Sequence, residues 1–170
     1  MMMKINYNLY KEFLDKLLSF LVGHFREDKI ISCALFGSVA RGEAKPYSDI
    51  DLLIVCQKRS PDSTEKFTKI LFKLEKIEEY KKLLSMGLHP DPYPIFVTPE
   101  ELSKNPLILL DILDEGIILY DKAGFLNQKL QKLKERLGQL GARKITFEDG
   151  SWVWDLKPDW KRGEVIEIEV

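Results

Sequence analysis

Two apolar runs rich in strand formers, Ile30 to Phe36 and Ile50 to Val55, frame a polar segment that opens on Gly37-Ser38 and closes on Ser48-Asp49. Short apolar runs bounded by turn residues read as buried strands. Gly42, Pro46 and Ser48 make the connection a loop, with room for only a short helical turn over Ser38 to Arg41. A fold for this chain must bury two adjacent strands and hold that polar segment at one end of them.

The flanking sequence supplies the cover. Leu9, Phe13, Leu17, Phe20, Leu21, His24 and Phe25 recur at three- and four-residue steps, one face of an amphipathic helix that Asn8 is placed to cap. Pro61, Asp62 and Ser63 open a second helix, with a capping-box spacing from Asp62 to Glu65 and apolar positions Phe67, Ile70, Leu71, Leu74 and Ile77, extending to Leu84 before Gly87 stops it. Tyr93 to Thr98 reads as a strand, and Pro94 puts it at a sheet edge. A helix starts at Pro99, Glu100 and Glu101 and runs to Leu113, with a break at Pro106 and a stop at Gly116. Ile117 to Tyr120 reads as a short core strand, and a helix follows from Gly124 to Leu137. Beyond it, Lys144 to Phe147, Asp149-Gly150 and Trp152 to Leu156 form a hairpin signal, and Glu164 to Val170 alternates. The expected fold is α/β (α+β): a mixed β-sheet packed with helices over residues 1–140, plus a β-rich extension over 141–170.

Composition narrows the function classes. The chain has 170 residues, 45% of them hydrophobic, and a chain of this size buries roughly 70% of its unfolded surface, which excludes intrinsic disorder. Lys and Arg number 26 against 27 Asp and Glu, for a net charge of -1. That leaves no overall cationic field and argues against a nucleic-acid or acidic-membrane binder. No apolar run approaches the ~20 residues of a bilayer crossing, and the start lacks the regions of a signal peptide, so a cytoplasmic location is expected. Cys33 and Cys56 lie within apolar runs and read as reduced, buried hydrophobes. His24, on the apolar helix face, and His89 have no partner at zinc-ligand spacing.

The chemistry concentrates between Gly37 and Asp51. Asp49 and Asp51 are two apart at the mouth of a strand, so both side chains fall on one face. Two carboxylates so placed repel unless a cation neutralises them, and a hard divalent ion such as Mg²⁺ suits oxygen ligands. Gly37 permits close backbone approach, Ser38 can cap the helical turn after it, and that turn's free N–H groups can donate to phosphate oxygens. Arg41 adds a cationic fork. Carboxylate-held metal bridging phosphate oxygens is the arrangement that stabilises in-line attack on phosphorus.

The segment GSVARGEAKPYSDIDLLIV resembles the Gly-Ser, Ala-Arg-Gly and Ser-Asp-x-Asp-hydrophobic signature of the DNA polymerase beta-like nucleotidyltransferase superfamily, and most of all its minimal nucleotidyltransferase (MNT) branch. The motif match covers Leu35 to Val55. The element order is compatible with that fold to about Tyr120, including the DEGIILYD segment. The resemblance implies that Gly37, Ser38 and Arg41 bind the nucleotide triphosphate and that Asp49 and Asp51 ligate Mg²⁺ or Mn²⁺. A third carboxylate on a neighbouring strand would complete the site and serve as base. The expected strand, Tyr93 to Thr98, has none. Asp91 just before it is the first candidate, Glu100 just after it the second, and a site with no third protein ligand the remaining alternative.

The expected function is transfer of a nucleoside monophosphate, AMP first, from an NTP to a hydroxyl of a partner protein, as in MNT/HEPN toxin-antitoxin pairs. A small-molecule acceptor, as in antibiotic nucleotidyltransferases, is the enzymatic alternative. A degenerate module that binds nucleotide or a partner without turnover is the non-enzymatic one. Tyr47 and Lys45, in the same loop, are read as base or phosphate contacts or as exposed side chains. The Trp152 and Trp154 face is assigned to core packing or a homo-oligomer contact, with an acceptor platform as the lesser reading.

Overall fold

The computed structural model describes residues 4–26, 28–104, 107–166 and 168. In chain order the elements are α1 (Tyr7–His24), β1 (Ile30–Phe36), α2 (Gly37–Arg41), β2 (Asp49–Cys56), α3 (Ser63–Leu74), α4 (Glu78–Ser85) and β3 (Asp91–Val97). There follow α5 (Pro99–Lys104), α6 (Leu107–Glu115), β4 (Ile117–Asp121), α7 (Phe125–Leu140), β5 (Arg143–Thr146) and β6 (Trp152–Asp155). Four strands form one mixed sheet in the order β3-β2-β1-β4, and β5 pairs with β6 as a separate hairpin. β1 is antiparallel to β2 and to β4, whereas β2 and β3 run parallel.

The unbroken apolar character of β1 and β2 has a direct cause: both faces of the sheet are covered. Cys33, Leu35, Ile50, Leu52, Ile54 and Cys56 join α1, α3 and α4 in one buried cluster. The intervening Ala34, Leu53 and Val55 join α5, α6 and α7 in a second. Strand side chains alternate between faces, so each strand feeds both cores. Asp49 and Asp51 share the parity of Leu53 and Val55, which sets them on the face covered by α6, α7 and the hairpin. Cys33 and Cys56 are free and buried. Desolvation pushes their thiols up to about 12 and about 11, so neither is a nucleophile at neutral pH.

Several boundaries differ from the sequence expectation. The α1 cap is Asn6, whose Oδ1 accepts from the Asn8 N–H at 3.0 Å, rather than Asn8. His24 is exposed, its Nδ1 2.8 Å from the Phe20 carbonyl oxygen and its ring edge-on to Phe20, so it is not part of the buried core. The helix expected from Pro61 to Leu84 is two: Ile77 adopts an extended conformation and turns the chain so that α4 packs Tyr80 against Phe13 of α1. No Asp62 capping box forms, because the Asp62 carboxylate pairs with Lys66 at 3.3 Å. A reciprocal cap does form at the next helix. Thr98 N–H donates to Glu101 Oε2 at 2.9 Å and Glu101 N–H to Thr98 Oγ1 at 3.2 Å, with Pro99 in the first helical position. β4 is an edge strand, half-buried rather than central. Pro106 and residues 167, 169 and 170 lie outside the described residues, and Glu164 to Ile166 are not in a strand.

Asp121 ties three elements together. It accepts from Ser32 Oγ of β1 at 2.7 Å and from the Leu126 and Asn127 N–H groups at the start of α7, at 2.9 and 3.0 Å. It thereby satisfies helix-terminal donors and fixes α7, and the hairpin beyond it, against the sheet.

Candidate active site

β1 turns directly into α2 at Gly37, which has φ +73. An L-residue resists that conformation, and a Cβ there would overlap the Asp51 carboxylate. The register explains the crowding: Phe36 faces Asp51 across the antiparallel pair, so the residue after Phe36 crosses the mouth of β2. Replacing Gly37 by Ala should therefore both strain the backbone and displace Asp51. Left-handed strain costs ~1–2 kcal/mol, which corresponds to a Tm drop of about 2–8 °C for a chain of this size. A displaced reactive group costs about 10²-fold in rate. Thermal melts and turnover of Gly37→Ala check both.

Ser38 lies inside α2 rather than capping it. The N-cap position is Phe36, no side chain caps the helix start, and the Ser38 hydroxyl has no hydrogen-bond partner among the described residues. Uncapped N–H groups and a free hydroxyl at one turn are donors left for an anion.

Asp49 and Asp51 sit on one face at the start of β2, Asp49 exposed and Asp51 half-buried. Burial first, and the charge of Asp49 second, raise the Asp51 carboxyl above its ordinary range, and Arg41 opposes this. The strand expected from Tyr93 starts two residues earlier, at Asp91. Parallel pairing then sets Asp91 opposite Asp49 and Tyr93 opposite Asp51. Neighbouring strands lie about 5 Å apart, so the register brings Asp91 beside Asp49 at the mouth of β2, where it also lines a cleft with Tyr80. Glu100 is not placed there: it follows Val97 at the opposite end of β3 and pairs with Lys104. Pro92 and Pro94 masked this strand in the sequence. Being two apart, they leave their missing N–H groups on one side, which an edge strand turns to solvent.

The donor set of hard carboxylate oxygens, with one member destabilised by its neighbour's charge, fits a divalent cation. Among the described residues no group of three or more His, Cys, Asp or Glu side chains could hold an ion by itself. The fit is to an ion that keeps waters and substrate phosphates as its other ligands, as Mg²⁺ does, with Asp49 and Asp51 as the protein ligands.

Arg41 is oriented by groups that sequence spacing did not reveal. Its Nε is 3.0 Å from Glu43 Oε2 and 3.5 Å from Glu115 Oε2, and its Cζ lies 4.9 Å from the centre of the Trp152 ring. Glu115 belongs to the DEGIILYD segment and Trp152 to the hairpin. On the other flank, Tyr47 stacks on His89 at 4.4 Å between ring centres, and the His89 N–H donates to the Pro46 carbonyl at 2.9 Å. A cleft of roughly 290 Å³ lined by Phe13, Leu71, Leu74, Tyr80 and His89 reaches the Asp91 segment.

These features can be set beside known proteins. Residues 14–119, more than half of the chain, match the family described as a nucleotidyltransferase domain. A Methanocaldococcus jannaschii protein whose assigned name proposes protein adenylyltransferase activity is 37% identical over 155 residues, 88% of this chain and 92% of its own length. Among solved structures, spectinomycin adenyltransferase AAD(9) of Enterococcus faecialis, with ATP and spectinomycin, superposes with a TM-score of 0.51 at 13% identity. That match covers 76% of this chain and 66% of the other, and it bears on the fold alone. A toxin-antitoxin MntA-HpeT structure gives a TM-score of 0.39 at 15% identity, over 75% of this chain and 94% of that one. With a sequence match spanning both central strands, the loop between them, the whole third strand and the start of the fourth, the chain belongs to the nucleotidyltransferase domain family and is a nucleotidyltransferase.

Proposed function

We propose that this nucleotidyltransferase is a Mg²⁺-dependent enzyme that moves AMP from ATP to a hydroxyl of a partner protein, with release of pyrophosphate. The observation that supports the reading is the register of β2 and β3, which sets Asp91 opposite Asp49 at the mouth of β2. A protein acceptor is supported by the relative that is 37% identical along nearly its whole length. The first partner to test is the HEPN-type protein implied by the sequence resemblance.

In this reading the α2 turn at Gly37 and Ser38 donates to the triphosphate, and Arg41 offers its guanidinium to it. Asp49 and Asp51 hold the cation, which when bound neutralises charge developing on the phosphate oxygens. Asp91 accepts the proton of the attacking hydroxyl. Residues 1–140 make the catalytic domain and 141–170 an extension of it. The buried, unpaired thiols of Cys33 and Cys56 suit a reducing, ATP-rich cytoplasm. Among the described residues no helix is long and apolar enough to cross a membrane.

The test uses ATP labelled at either phosphate. Label on the α-phosphorus should become attached to the partner protein in the presence of Mg²⁺, and label on the γ-phosphorus should leave as pyrophosphate. Transfer of the γ-label instead would make the protein a phosphoryl donor and refute the reading.

A further inference from the structure

We infer that Trp152 is a positioning residue for nucleotide binding, through which the C-terminal hairpin fixes the guanidinium of Arg41 for the triphosphate. The inference rests on the nucleotide reading of Arg41 given above. It extends the site to a segment lying outside residues 14–119, the span shared with the family.

The geometry is that of a clamp with one edge left open. Arg41 makes both of its ion pairs, to Glu43 and to Glu115, through Nε. Neither Nη group has a hydrogen bond among the described residues. A guanidinium has five donors in a planar fork, so the Nη edge remains to donate to phosphate oxygens in pairs. An arginine on a flexible stem pays rotamer entropy whenever it is ordered by a ligand. Here that ordering is already done: Trp152 lies 4.9 Å from Cζ, within cation-π range, while the two carboxylates fix Nε.

The hairpin is itself fastened on the correct face. Trp154, on the same strand and face as Trp152, packs with Leu156 against the cluster built on Leu53 and Val55, the residues whose side of β2 carries Asp49 and Asp51. Lys144 of β5 approaches the Trp152 ring at 4.6 Å and pairs with Asp114 and, at 3.6 Å, with Glu115. Glu115 thus joins the hairpin cation to Arg41. Gly116 allows α6 to end there, because a Cβ at that position would overlap the backbone of Ile112.

The experiment measures ATP affinity by calorimetry in the presence of Mg²⁺ for the full chain and four variants: Trp152→Leu, Trp152→Phe, Arg41→Ala and the Arg41→Ala, Trp152→Leu double. Leucine keeps apolar volume without a π face, and phenylalanine keeps the face. Trp152→Leu should raise Kd about 3- to 30-fold, the range of a cation-π contact from exposed to desolvated. Trp152→Phe should recover most of that affinity, and Trp152→Leu should add nothing once Arg41 is alanine. The loss in Trp152→Leu should fall mainly on the KM for ATP, with kcat the less affected of the two. Wild-type affinity in Trp152→Leu, or the same loss in the presence and absence of Arg41, overturns the inference while leaving the nucleotide site intact. A wild-type chain that does not bind ATP at all overturns the nucleotide reading itself.

Discussion

Asp49→Asn combined with Asp51→Asn is expected to lower the rate of nucleotidyl transfer by about 10³-fold or more and to abolish the Mg²⁺-dependent rise in Tm that ATP produces. The size follows from the work proposed for the pair: a metal at a phosphoryl centre contributes several kcal/mol of charge stabilisation, and each 1.36 kcal/mol is tenfold in rate. Stability without ligand should move the other way. The Asp51 carboxyl is raised by burial and by Asp49, so the folded chain holds that proton more tightly than the unfolded chain does. The ionised pair therefore penalises the fold at neutral pH, and the penalty fades as pH falls through the raised pKa toward the ordinary carboxylate range. Melts of the metal-free double variant should show a Tm no lower than wild type at pH 7 and a weaker gain on acidification. An unchanged ATP- and Mg²⁺-dependent shift in the variant would remove these carboxylates from the site.

Asp91→Asn separates binding from chemistry. Asp91 is assigned the proton of the acceptor hydroxyl, and loss of a positioned base removes ~10²- to 10⁴-fold in rate. Asparagine keeps the shape and the place opposite Asp49 in the β2–β3 register. The expected result is a kcat reduced by that factor and an ATP affinity near wild type. Glu100→Gln, in α5 beyond the far end of that strand and paired with Lys104, should leave kcat unchanged. A full rate in Asp91→Asn would assign proton removal to another group.

Much of this molecule is legible in its sequence, for local reasons. β1, β2 and the turn between them announce themselves because both faces of each strand are buried and because Gly37 and Gly42 occupy backbone conformations with φ +73 and +72 that other residues avoid. What stays hidden is set by pairing between distant residues. Asp91 reads as part of a stiff Pro-x-Pro loop, and only strand pairing brings it opposite Asp49 at the mouth of β2. The split between α3 and α4 comes from Ile77 and from the packing of Tyr80 on Phe13, which a continuous helical period conceals. Arg41 was legible as a cation, but not that Glu115 and Trp152, 74 and 111 positions later in the chain, hold it. Trp152 and Trp154 shared a face in the pattern, yet one packs into a core and the other meets two cations, a division that hairpin docking alone decides.

The most direct measurement is the intact mass of a purified HEPN-type partner protein after incubation with this enzyme, ATP and Mg²⁺. The account predicts a gain of one AMP unit per modified hydroxyl, present with the wild-type chain and absent with Asp49→Asn, Asp51→Asn. An unmodified partner, a gain of phosphate alone, or an AMP gain that persists in the double variant would contradict it.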